Sequence, residues 1–249
     1  MLHFVREGVE VKQLDRAALE RACHPATVTL DDPYYEARKS FRACPLREVL
    51  QLGFGTLPGP SANVFLRARD GYVRPATGAV LGEDGGWLAF ADADRDGGWA
   101  PVERKGADPG PFYMVWTKPA QQDPHAYPWP YQLVSIELAD FQTTYPHTVP
   151  RTAPTGASAW AGFTIFRTRC VACHAINGEG GKVGPDLNVP RSIVEYRPVE
   201  QVKAYIHDPT TFRYGNMPAN TDLTPGDLDA LIAYFETMKT LKHDPGHAS

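Results

Sequence analysis

The residues with the most chemistry per position stand together at Cys170-Val171-Ala172-Cys173-His174. Two thiols three positions apart, followed at once by an imidazole, form the attachment signature of a c-type haem. The sulfurs suit addition to the two haem vinyl groups, and His174, set directly after the second thioether, suits the proximal axial position on the iron. A thioredoxin-like dithiol would not require the histidine. Half of a zinc site would need two further ligands, and the isolated His207 does not complete one. The motif therefore predicts one covalent haem c.

Such an iron needs a sixth ligand, and elimination among the four methionines points to Met217. Met1 is terminal, Met114 lies far upstream between Tyr113 and Val115, and Met238 falls in a helical pattern near the end. Met217 lies in Tyr214-Gly215-Asn216-Met217-Pro218-Ala219, where glycine and proline supply the turn chemistry of a loop that folds over the distal haem face. Imidazole plus thioether raises the reduction potential relative to two imidazoles and leaves no open coordination position. An iron so ligated shuttles electrons rather than binding substrate.

The elements that must position these ligands are two helices. Ala159 to Arg169 reads as an amphipathic helix with Trp160, Phe163 and Phe166 toward one side. Thr224-Pro225-Gly226-Asp227 opens a second, with Thr224 as N-cap, Pro225 at the first helical position and Asp227 closing a capping box. Leu228, Leu231, Ile232 and Phe235 then recur at helical spacing, with Tyr234 beside them.

Across roughly residues 156 to 242 this arrangement resembles a class I cytochrome c. The resemblance implies that the two helices cross closely, with Gly162 and Tyr234 at the contact, and that the distal ligand comes from a Met-Pro step, here Met217-Pro218. It further implies that Pro185, in Gly184-Pro185-Asp186-Leu187, presents its carbonyl to His174 and fixes the ring's orientation. The glycines between Asn177 and Leu187 would let backbone approach the porphyrin edge. That run lacks the spacing and the terminal Lys-Ser/Thr pair of a phosphate-binding loop. Arg191, Arg197 and Arg213 are candidates for the haem propionates, against the plainer reading of solvated surface arginines.

Composition bounds the rest. At 249 residues, 43% hydrophobic and 22% charged, the chain has the make-up of a soluble globular protein with room for a second domain before the haem unit. No apolar stretch of eighteen residues predicts a membrane span. With 25 basic and 29 acidic side chains, the net charge of −4 leaves no polybasic footprint for nucleic acid. Residues 151–249 balance ten basic against ten acidic groups, so the excess acid belongs to the first domain. Haem is joined to such motifs outside the cytoplasm in bacteria, and Met1 to Glu7 carries no leader pattern, so the expectation is a periplasmic protein whose leader has been removed. Residues 146–156, with three prolines and small polar side chains, read as a short stiff linker.

Upstream of it, strand-like runs at Ala26–Leu30, Val64–Ala68 and Gln132–Leu138 alternate with helix-like pieces at Asp15–Ala22 and Pro45–Leu52, the pattern of an α+β domain. Cys44-Pro45-Leu46-Arg47-Glu48-Val49-Leu50 is followed by Asp70-Gly71-Tyr72, Trp87-Leu88-Ala89-Phe90, Pro109-Gly110-Pro111-Phe112-Tyr113 and Tyr131 to Leu138. In order and approximate spacing these segments resemble the later part of the molybdopterin-binding domain of the sulfite oxidase family. The family's Cys-x-Gly-Asn ligand segment is absent, Cys44 touches the helix it should precede, and the domain is short, so this reading expects a reduced relative without molybdenum.

Cys23 and Cys44 are then either a disulfide or, with His24 and one of His3, His125 or His147, a copper or zinc site. Arg67, Arg69 and Arg74 suggest either an anion pocket or the outer face of an edge strand. Phe112 to Trp116 reads as core, and the proline-rich Tyr127 to Tyr131 as a covering loop.

The expected architecture is thus a sulfite-oxidase-like α+β domain over residues 1–145, a linker over 146–156 and an all-α cytochrome c domain over 157–249. The expected function is one-electron carriage to or from an oxidoreductase or terminal oxidase, the first domain serving as a docking or scaffold module. The alternative is a catalytic oxidoreductase whose first domain oxidises a small substrate such as a sulfur oxyanion and passes electrons to the haem. No catalytic residue is identifiable from the sequence.

Overall fold

The computed structural model describes the whole chain apart from residues 103–105, 214, 216, 245 and 247–249. It folds as two compact units, Met1–Phe141 and Gln142–Ser249.

In the first unit, hairpin strands β1 (Leu2–Arg6) and β2 (Val9–Leu14) precede helix α1 (Arg16–Ala22). Asp15 caps that helix by accepting from the Ala18 amide at 2.6 Å. Strands β3 (Ala26–Asp32) and β4 (Ala37–Pro45) lead into α2 (Leu46–Phe54), which ends at the left-handed Gly55. Then come β5 (Asn63–Ala68), β6 (Val73–Thr77), the single turn α3 (Gly78–Leu81), β7 (Gly86–Asp92), β8 (Tyr113–Trp116) and β9 (Leu133–Leu138).

The strands form a five-stranded sheet in the order β2-β1-β9-β5-β6 and a four-stranded sheet in the order β3-β4-β7-β8. The β1–β9 pair is parallel and the other pairs are antiparallel. One apolar core takes Leu2 and Phe4 from the first sheet, Phe41, Leu88 and Tyr113 from the second, and Leu46, Val49 and Leu50 from α2. Helix α2 lies so close to β1 that a Cβ on Gly53 would overlap the Phe4 ring. Asp32, 2% exposed, is accounted for inside this core: it accepts from the Tyr113 hydroxyl at 2.9 Å and from the Tyr34 and Tyr35 amides at 2.9 and 3.0 Å.

The Phe112–Trp116 run is fully buried core. The proline-rich run covers it from outside the sheet: the Trp116 indole donates to the Pro128 carbonyl and the Trp129 indole to that of Gln121. Prolines there remove amides that a strand would need, leaving carbonyls free to accept.

The turn α4 (Phe141–Thr144) ends the first unit and begins the second, which contains α5 (Ser158–Ile165), the small hairpin β10 (Ala175–Ile176) and β11 (Glu179–Gly180), α6 (Ile193–Tyr196), α7 (Val199–His207) and α8 (Pro225–Lys239). Thr224 and Asp227 form the capping box at the start of α8: the Asp227 amide donates to Thr224 Oγ1 at 3.2 Å and the Thr224 amide to Asp227 Oδ2 at 2.9 Å. Helices α5 and α8 cross backbone to backbone. A Cβ on Gly162 would run into the Ala230 carbonyl and come within 2.8 Å of Tyr234 Cβ.

Two expectations change. The helix expected over Ala159–Arg169 is α-helical only to Ile165; Phe166–Cys170 winds wider, with the Val171 amide bonding back five residues to Phe166 at 2.9 Å. The segment expected as a linker is folded into the second unit at its start. Thr148 is buried, its carbonyl accepts from the Tyr234 hydroxyl at 2.7 Å, and the His147 amide donates to Glu179 at 2.7 Å. Proline stiffness does not keep a segment off the surface when its carbonyls meet a buried donor.

Candidate functional site

The wide turn at Phe166–Cys170 delivers the chain into a tight loop that returns on itself. The amides of Cys173 and His174 both bond to the Cys170 carbonyl, at 3.1 and 2.9 Å. This brings Cys170 and Cys173 together as half-buried thiols outside any disulfide, with His174 directly behind them. Burial pushes the Cys170 thiol up to about 12, and the neighbouring Cys173 adds to the shift, so it is held as the thiol.

His174 Nδ1 lies 2.8 Å from the Pro185 carbonyl oxygen. A carbonyl only accepts, so the proton sits on Nδ1 and the Nε2 lone pair is free for a metal. Burial lowers the imidazole's basicity, against the Pro185 bond and the nearby Asp186, which favours the neutral, ligating form. Gly184 leaves the ring its place, since a Cβ there would overlap the imidazole. Gly181 packs as closely on the Ala172 carbonyl. Two thiols outside any disulfide, an imidazole with one committed nitrogen and a backbone cradle without side chains are a donor set that fits a covalently attached haem.

The loop carrying Pro185 is held by groups the sequence reading did not single out. Asp186 accepts from the amides of Gly178, Asn188 and Val189 at 2.7, 2.7 and 2.9 Å. Buried Asn177 donates to the carbonyls of His147 and Leu241 and accepts from Asn188 at 2.8 Å. The Asn177-Gly178 step, both in the left-handed region at φ 58 and 80, was the one signal of this hub in the sequence.

Met217 is half-buried in the loop between the turn Pro209–Thr211 and α8. Tyr214 and Asn216 of that run lie outside the described residues. Downstream, Asn220 bonds to the end of α7, its amide to the His207 carbonyl at 2.9 Å and its side chain to that of Ile206 at 3.1 Å. The three arginines considered for propionates are exposed and rest on aromatic faces: Arg191 and Arg197 on Tyr196 at 5.8 and 5.9 Å, Arg213 on Tyr205 at 5.5 Å.

In the first unit the reactive groups are otherwise engaged. Cys23 and Cys44 form a disulfide, with Cα atoms 5.9 Å apart. Among the described residues no three His, Cys, Asp or Glu side chains converge as a metal site. The three arginines do not make an anion pocket: Arg67 pairs with Glu137 at 2.7 Å across the sheet and Arg74 donates to the His125 carbonyl at 2.6 Å, while Arg69 is exposed.

Residues 159–239 match the family model described as Cytochrome c. The chain is also similar to a cytochrome c oxidase subunit 2 of Alkalihalophilus pseudofirmus, 34% identical over 97 residues. That match covers 36% of this chain and 28% of the relative, so the chain spans less than a third of the curated relative's length. The C-terminal unit thus carries a cytochrome c domain, a domain that binds haem c covalently and transfers electrons. Among the described residues no helix is long and apolar enough to cross a membrane.

Proposed function

We propose that this protein is a periplasmic monohaem c-type cytochrome that carries single electrons to or from an oxidoreductase or terminal oxidase. Its axial ligands are His174 and Met217, and its N-terminal unit is a docking or scaffold module without molybdenum, a reduced relative of the sulfite oxidase family. The observation that carries the reading is His174, its Nδ1 committed to Pro185 and its ring set behind two cysteines that form no disulfide. When bound, haem c supplies a one-electron ferric/ferrous couple. Cys170 and Cys173 anchor it, Pro185 holds the imidazole in one orientation, and Gly184 leaves space for the ring.

The terminal oxidase as a partner class draws support from the similarity to an oxidase subunit. The Cys23–Cys44 disulfide supports an oxidising compartment. It also occupies the thiol that a metal in the N-terminal unit would need, which favours the docking role over catalysis there.

Metal analysis and spectroscopy of the purified holoprotein test this. About one iron per chain is expected from the single motif, with haem that resists acid-acetone and becomes extractable when both cysteines are replaced by Ala. The oxidised protein should show a sulfur-to-iron band in the far red that Met217→Ala abolishes, with a lower reduction potential. Stoichiometric molybdenum or copper together with substrate-dependent haem reduction would overturn the reading in favour of the oxidoreductase.

A further inference from the structure

Arg169 immediately precedes the first haem-attaching cysteine, and Asp222 follows Met217 by five positions. Their side chains meet two on two, Nη1 donating to Oδ1 at 3.2 Å and Nη2 to Oδ2 at 2.6 Å. The fork-to-fork geometry fixes direction as well as distance, which a point-charge pair does not. Arg169 is held with 23% of its side chain exposed, and Asp222 with 56%.

Among the described residues, several bonds tie the chain between Met217 and α8. Asn220 fastens to the end of α7, Thr224 closes the box that starts α8, and Asp222 reaches across to Arg169. Of these, the Arg169–Asp222 pair is the tie to the haem-attachment segment itself. We infer that Arg169 and Asp222 are positioning residues for the distal ligand, a bidentate clamp that holds the Met217 loop to the Cys170–His174 segment and sets how readily the loop yields to an external ligand. The inference rests on the reading of Met217 as that ligand.

Imidazole titration of the ferric holoprotein, followed at the far-red band, provides the test. Imidazole enters only when the thioether leaves, so its apparent affinity is scaled by the fraction of open loop. With the clamp exposed on one side, Asp222→Asn should raise imidazole affinity on the order of fivefold at low salt. The difference from the unmodified protein should narrow at about 1 M salt, where screening reaches ~3 Å. Arg169→Lys keeps the charge but loses the fork, and should show a smaller rise in the same direction. It carries the test if Asp222→Asn does not mature into a haem protein. Imidazole affinity equal to that of the unmodified protein, in a variant whose far-red band is intact, overturns the clamp and leaves Met217 standing as ligand. No far-red band in the unmodified protein removes the Met217 assignment, and the clamp with it.

Discussion

Replacing Gly162 by Ala would measure how closely α5 and α8 depend on backbone contact. On an isolated helix the change is favourable, because Ala gains about 1 kcal/mol over Gly in helix propensity. In the folded unit the new methyl meets the Ala230 carbonyl, with the carbonyl carbon 2.6 Å away and Tyr234 Cβ at 2.8 Å. None of these atoms is the free end of a flexible side chain, so the helices themselves must separate. Separation loosens the contacts of Phe163 and Phe166 with Tyr234, now at 5.9 and 5.4 Å between ring centres. Overpacking of this kind costs about 1–3 kcal/mol, and with rigid backbone in the way the upper end applies. Net of propensity, Gly162→Ala should destabilise the unit by about 2 kcal/mol. Urea unfolding of the holoprotein, followed at the haem absorbance, should show the midpoint falling by about 1 M for a slope of ordinary size. Thr164→Ala, on the exposed side of α5 where the hydroxyl only bonds back to the Trp160 carbonyl, serves as control and should stay within about 0.5 kcal/mol. A midpoint for Gly162→Ala equal to or above that of the unmodified protein would refute backbone contact at this crossing.

Other tests address the remaining parts of the chain. Tyr234→Phe removes the donor to the buried Thr148 carbonyl and should cost the C-terminal unit about 1 kcal/mol by the same unfolding assay; no cost would mean that Thr148 is not held there. Reducing the Cys23–Cys44 disulfide reopens a loop closed across 21 positions and should destabilise the N-terminal unit by about 3 kcal/mol, read from tryptophan fluorescence. An unmoved transition would contradict a disulfide that constrains the unfolded chain. Burial raises the Asp32 carboxyl above its ordinary 3.8, outweighing the lowering by the Tyr35, Tyr34 and Tyr113 bonds and Lys39. A folded-state value above the unfolded one makes Asp32's own contribution to stability greatest below pH 3.8, and that contribution is lost as the pH climbs through the raised value. Measured from about pH 4 to about pH 7, the stability of Asp32→Asn relative to the unmodified protein should therefore rise with pH; parallel curves would exclude the effect.

Much of this was legible in the chain because it depends on residues a few positions apart. The haem motif is five consecutive residues, the α8 cap is decided between Thr224 and Asp227, and α1 and α2 begin and end within two residues of where side-chain pattern placed them. A capping hydroxyl or an amphipathic stripe needs only its own turn of helix to act, so its signal survives in one dimension. The approach of Pro185 to His174 and of Gly162 to Tyr234 was readable only through likeness to a family, since nothing local to those residues specifies a partner.

What the tertiary structure alone decided joins distant positions. It placed β9 between β1 and β5, so that Glu137 faces Arg67 and closes off an anion pocket the arginines by themselves suggested. It brought Cys23 and Cys44 within bonding reach, settling disulfide against metal site, and it drew the supposed linker onto α8 through Tyr234 and Thr148. It widened the helix before Cys170 and set Arg169 against Asp222, 53 positions away. Each outcome depends on which surfaces the folded chain buries against each other. A residue type states what it can bond, whereas long-range packing selects which of several equally competent partners is within 3 Å.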